Sequence, residues 1–146
     1  MLFLENNFNL DQRQQQQQYL SQFQYLKEQR DVFENQLELV QTSLSNIINT
    51  KNTIENMKTI DLDEEILVPL GGMINIKAQI KDIEKVLVYI SRDVVIEKTL
   101  DDTIQFLEKL ISQHEEQIKF LSERIQQVDI SLQNISQNLQ RILQQQ

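Results

Sequence analysis

The sequence predicts an α+β chain, a long antiparallel two-helix coiled coil with two β-hairpins inserted between the helices. Three observations carry this. Only two Gly and one Pro interrupt 146 residues, so long unbroken elements are expected. Apolar residues recur at alternating spacings of three and four before residue 58 and again after residue 99, the signature of a coiled-coil seam. Between those stretches the apolar period shortens to two, as in half-buried strands.

The first helix is expected within residues 1–58. From residue 12 its seam runs Tyr19, Phe23, Leu26, Arg30, Phe33, Leu37, Val40, Leu44, Ile47, Lys51, Ile54. Arg30 and Lys51 are basic exceptions whose stems can pack while their charges reach the rim, and such groups can select register and partner at some cost in stability. The second helix, residues 99–146, is predicted to start at a T-x-x-D capping arrangement, Thr99 with Asp102. Its seam is Ile104, Leu107, Ile111, His114, Ile118, Leu121, Ile125, Val128, Leu132, Ile135, Leu139, Ile142, with His114 the one polar residue.

The two seams match. If the helices fold back antiparallel, facing residues should have numbers that add to a constant, and every seam pair from Ile54 with Ile104 to Tyr19 with Leu139 gives 158. Each helix is then about 46 residues and roughly 70 Å long at 1.5 Å per residue. Burying each large seam side chain is worth roughly 1.5 to 3 kcal/mol before entropy is counted.

Residues 65–98 supply the strands. Ile74, Ile76, Ala78 and Ile80 alternate with Asn75, Lys77, Gln79 and Lys81. Ile66 to Leu70 precedes them across Gly71-Gly72, a pair suited to the positive backbone angles of a tight hairpin turn. Val86 to Ile90 is apolar at every position, and Val94 to Ile96 follows after Ser91-Arg92-Asp93. A sheet with apolar residues on both faces needs a second cover. The expected cover is another subunit, contacting Ile66, Val68, Ile74, Ile76, Val86, Val88, Ile90, Val94 and Ile96.

Several function classes lose support. The net charge of −8, with basic residues spread along the chain, argues against a nucleic-acid partner. No run of about 18 apolar residues suits a membrane span, and the opening MLFLENNFNL lacks a basic region before its short apolar run, so no export is expected. Absence of Cys fits a reducing compartment, with the cytoplasm the default. A single His without Cys makes a poor metal site, and its seam position suits packing or hydrogen bonding. Asp61, Asp63, Glu64 and Glu65 lack the spacing of a calcium loop and read as a solvated connector. No phosphate-binding motif follows Gly71-Gly72, and no nucleophile, base and orienter set is available. No cofactor, metal, catalytic residue or enzymatic activity is expected.

The stretch EILVPLGGMINIKAQIKDIEKVLVYISRDVVIEKTLDDTIQFLEK, Glu65 to Lys109, resembles prefoldin alpha-class subunits. In that family ILVPL opens the first hairpin, a D-x-x-K-V-L-V-like run forms the third strand, and V-E-K-[ST]-x-[ED]-[ED]-A-like residues lead into the second helix. Asp82 to Val88 and Val95 to Asp102 match the latter two. The family's Gly-x-Gly-aromatic turn before the fourth strand is replaced here by Ser91-Arg92-Asp93-Val94. The resemblance implies a single prefoldin-like domain over residues 1–146 whose strands join an intersubunit β-barrel. It also implies a heterohexamer of two alpha-class and four beta-class subunits, in which this chain meets beta-class partners and a second alpha-class copy. Such assemblies are ATP-independent holdases that hold unfolded polypeptides at the coil tips and pass them to a group II chaperonin.

An antiparallel hairpin brings both termini to the end of the coil remote from the strands. Residues 12–24 carry only Arg13, within which lies the Gln14 to Gln18 tract, and residues 125–146 carry only Asp129 and Arg141. Leu2, Phe3, Leu4, Phe8 and Leu10 from one end, with Leu139, Ile142 and Leu143 from the other, are the expected client-binding residues. Mobile apolar groups with few fixed charges can meet many sequences. The same composition also fits a frayed terminus with low-complexity Gln. Two alternatives to the chaperone stay open, a filament-forming structural protein and an adaptor for one dedicated partner.

Overall fold

The computed structural model describes residues 2–144, with side-chain environments for residues 10–144. The element order is α1 (Leu2–Met57), β1 (Glu65–Gly71), β2 (Ile74–Gln79), β3 (Lys85–Ser91), β4 (Val94–Thr99) and α2 (Leu100–Gln144). Two long helices therefore enclose two antiparallel hairpins, as the period changes predict. The chain divides into two compact units, one of residues 1–41 with 116–146 and the other of residues 42–115.

In the unit of residues 42–115, the helix starts and ends are set by local chemistry. The Thr99 hydroxyl accepts the Asp102 amide proton at 3.1 Å, satisfying one of the amides that a helix start leaves unpaired. Asp101 and Asp102 add negative charge to this first turn, where the helix dipole favours it. Thr103 is buried, yet its hydroxyl donates to the Thr99 carbonyl at 2.7 Å. At the other end α1 gives way to a tighter turn, with the Lys58, Thr59 and Ile60 amides reaching carbonyls three residues back.

The core of this unit lies where the helices meet the strands. Ile54 from α1 packs with Leu100, Ile104 and Leu107 from α2, and Ile47, Met57, Val86, Phe106 and Leu110 close around them. Polar cross-links confirm the register. Lys51 pairs with Glu108 at 3.1 Å, Lys58 with Asp101, and Ser43 with His114 at 3.0 Å, so the paired numbers add to 159, 159 and 157, within one of the expected 158.

The strands form two separate two-stranded sheets, β1 with β2 and β3 with β4. In the first, Ile66 lies opposite Ala78 and Val68 opposite Ile76, with a register shift between Pro69 and Gly71. Gly71 ends β1 at φ +130° and Gly72 opens the turn at φ +53°, so both glycines of the expected pair take positive angles, one as the strand end and one within the turn. In the second, Val88 lies opposite Ile96 and Tyr89 opposite Val95, with a register shift between Tyr89 and Ser91. The Arg92-Asp93 turn needs no positive angle.

In the unit of residues 1–41 and 116–146, α2 presents a column of Leu121, Val128, Ile135 and Ile142, each buried and seven residues apart. From α1, Tyr19, Phe23, Leu26, Phe33, Leu37 and Val40 are half-buried along the predicted seam. The Gln tract follows the same heptads. Gln12 and Gln16 are half-buried, whereas Gln14, Gln15, Gln17 and Gln18 are exposed, so glutamine stems continue the seam. Arg30 bonds Asp129 at 2.5 Å and Glu34 at 2.7 Å, again a cross-helix sum of 159. No described helix is long and apolar enough to cross a membrane.

Candidate functional site

Two surfaces carry the residues singled out from the sequence. The first is the pair of hairpins. On β1–β2, Ile66 is half-buried while Val68, Ile74 and Ile76 are exposed, and Leu70 and Met73 flank the turn, Met73 at 98% exposure. Glu65 and Lys77 form an ion pair of 2.9 Å on the opposite face, which also carries exposed Leu67. Among the described residues nothing covers Val68, Ile74 and Ile76 on this hairpin's apolar face, and both strands keep one unpaired edge.

On β3–β4 the residues expected at a subunit contact divide between the two faces and the turn. Val86 belongs to the apolar cluster at the helix base, and Val88 and Ile96, on the same face by alternation, are half-buried. Lys98, also on this face, lies 5.7 Å from the Phe106 ring centre. Val86, Val88 and Ile96 are expected subunit contacts, and in the single chain Val86 packs against the helix-base cluster. The exposed apolar residues are instead Leu87, Tyr89 and Val95 on the other face, with Ile90 and Val94 at the turn. Because Val86 to Ile90 is apolar throughout, the signal for Leu87 and Tyr89 was in the sequence. A run without a period names both faces and ranks neither.

The second surface is the end of the coil that carries both helix termini. Leu10, Leu20 and Leu143 are exposed and Leu139 is half-buried. Ile142, also expected at the client surface, is buried at 9% exposure. It sits seven residues beyond Ile135 in the seam, where half-buried Gln16 is its expected facing residue. The side chains of Leu2, Phe3, Leu4 and Phe8 lie outside the described residues. A shallow depression lined by Arg13, Gln16, Gln17, Leu20, Ser21 and Gln24 is built mainly of side-chain amides. Leu20, which the sequence reading passed over, belongs to it.

Polar groups elsewhere are structural. His114 is half-buried, with Nδ1 2.8 Å from the Leu110 carbonyl and Nε2 3.0 Å from the Ser43 hydroxyl. The Leu110 carbonyl can only accept, so Nδ1 donates to it. Arg30 is held above its ordinary pKa chiefly by the hydrogen bond it donates to Asp129, and Lys51 above its own by Glu108 and then Glu55. Both stems lie in the seam and both charges reach the rim, as expected. Among the described residues no cluster of His, Cys, Asp or Glu could hold a metal. The chemistry on offer is apolar and amide contact.

Known proteins share this arrangement. The prefoldin subunit family model matches residues 11–145. Prefoldin subunit alpha of Pyrococcus horikoshii is 27% identical over 126 residues, covering 86% of this chain and 85% of that one. The same subunit of Methanoregula boonei is 31% identical over 120 residues, covering 80% and 78%. Among solved structures, filamentous PFD from Methanocaldococcus jannaschii superimposes with a TM-score of 0.68 at 14% identity, covering 77% of this chain and 93% of the other. The prefoldin beta subunit from Thermococcus strain KS-1 gives 0.57 at 16% identity, covering 87% and 90%. Matched helices, two intervening hairpins and this span of relatives agree: the chain belongs to the prefoldin family, as an alpha-class subunit of chaperone type.

Proposed function

We propose that the chain is a subunit of an ATP-independent holdase, assembling through its hairpins and capturing unfolded polypeptides at the coil end that carries both termini. The assembly is a heterohexamer with beta-class subunits and a second alpha-class copy, its strands closing an intersubunit β-barrel. It works in the cytoplasm, delivers clients to a group II chaperonin and catalyses no reaction.

The observation that carries the client site is the pairing of exposed Leu10, Leu20 and Leu143 with a surface almost free of charge. Apolar groups set among neutral amides accept varied segments, because no fixed charge rejects one sign. Leu2, Phe3, Leu4 and Phe8 extend this apolar content by sequence, and half-buried Leu139 borders it. For assembly, the support is the uncovered apolar face of β1–β2 together with Leu87, Tyr89 and Val95.

The test replaces Leu10, Leu20 and Leu143 together by Gln, which leaves every seam residue in place. Assembly with a beta-class subunit should persist while suppression of client aggregation falls. Undiminished suppression sinks the client site. A second reading, a filament, draws on the filamentous relative, and native mass of the chain alone and with a beta-class subunit separates the two. A defined hexamer supports the holdase and an open distribution the filament.

A further inference from the structure

We infer that the outward face of α1 between Tyr25 and Leu39 is a docking strip for a basic amphipathic helix of a partner protein. Tyr25, Val32 and Leu39 are 59%, 53% and 72% exposed and lie seven residues apart. The seam beside them is Phe23, Leu26, Arg30, Phe33, Leu37 and Val40. One column at a single heptad position, about 130° around the helix from that seam, is therefore apolar while the intrachain coil leaves it unused. The strip rises about 21 Å over two heptads. Gln29 donates to the Tyr25 hydroxyl at 2.7 Å, steadying the ring, and a shallow hollow lies between Tyr25, Glu28, Gln29, Val32 and Phe33.

Spacing selects the form of the occupant. Apolar groups about 10.5 Å apart along α1 match the heptad repeat of a helix lying alongside. An extended segment repeats its facing side chains every 6.6 to 6.8 Å or so and falls out of step.

Charge selects its sign. Glu28, Asp31 and Glu38 lie to one side of the strip and make no ion pair among the described residues, while Arg30 is engaged by Asp129 and Glu34. Lys27 is the single cation left without an ion pair among described residues 25–39. A partner helix with Lys or Arg beside its apolar stripe completes this edge. A second copy of the chain does not, because antiparallel self-pairing sets the acidic side against itself and the chain carries −8 overall.

The test uses the full chain and a fluorescent 21-residue peptide with Leu in heptad spacing flanked by Lys. Control peptides carry Glu for Lys, or a central Pro. Only the basic uninterrupted peptide should bind and gain helicity, and raised salt should weaken it. The variant Tyr25→Gln, Val32→Gln, Leu39→Gln should lose about tenfold or more in affinity with its own melting unchanged. Glu28→Gln, Asp31→Asn, Glu38→Gln, which keeps every apolar side chain of the strip, should flatten the salt dependence. The Leu10, Leu20, Leu143 variant should bind the peptide normally, so this strip and the client site fail or succeed separately. Equal binding of the Glu or Pro peptide, no binding of the Lys peptide, or unchanged affinity in both strip variants overturns the inference.

Discussion

The two hairpins have the same length, pairing and bulge position, yet they stand differently toward their own chain. β3–β4 is fixed by Val86 in the helix-base cluster, by Lys98 over Phe106, and by Thr99, which ends β4 and caps α2. β1–β2 has no comparable anchor among the described residues and exposes Val68, Ile74 and Ile76. One hairpin keeps one face on the helix base and leaves the other open. The first leaves Val68, Ile74 and Ile76 open, the area that the proposed assembly would use.

Substitution can break that comparison. Val86→Asp should destabilise the isolated chain by about 2 to 3 kcal/mol, the cost of an unpaired polar group among apolar neighbours. Ile76→Asp, on the uncovered hairpin, should change stability by no more than about 0.5 kcal/mol while abolishing complex formation with a beta-class subunit. Denaturation by circular dichroism and native mass together read both effects, and equal destabilisation by the two would erase the distinction. Thr99→Ala should cost about 1 kcal/mol through the lost cap, and amide exchange should quicken in β4 and the first turn of α2 while β1–β2 is unaffected.

The smallest effect concerns Lys51, whose pKa lies above 10.5 because Glu108 and Glu55 hold its charged form. A folded-state pKa above the unfolded one stabilises fully below 10.5, and the contribution disappears as pH rises through the folded value. The melting-temperature difference between the parent and Lys51→Met should thus stay constant from pH 6 to about 9 and shift in favour of Met at higher pH. A constant offset throughout would show that the ion pair adds nothing.

Much of this was legible because coils and caps are periodic or local. The constant sum of 158 anticipated Lys51 with Glu108 and Arg30 with Asp129 to within one residue, since a seam that slips would expose every later layer at once. Thr99 was readable from four residues. The inward face of β3 was not, because Val86 to Ile90 offers an apolar residue to either side and only the packing of Val86 against the cluster of Ile54, Leu100, Ile104 and Leu107 decides between them. Ile142 looked accessible because its facing residue is Gln16, but a glutamine stem covers apolar surface even though its amide is polar. Tyr25, Val32 and Leu39 escaped notice because single off-seam apolar residues are ordinary on surfaces. Their shared column emerges only once the seam is fixed.

The double use of Thr99 has a mechanical consequence. Because β4 ends at Thr99 and α2 begins at Leu100, no slack separates sheet from helix, and a twist applied to β3–β4 reaches the first turn of α2 directly. Residues 58–64 intervene between α1 and β1, so β1–β2 meets α1 only through a connector. A neighbour that grips the second hairpin steers the base of the helix like a crank. One that grips only the first holds the subunit on a leash.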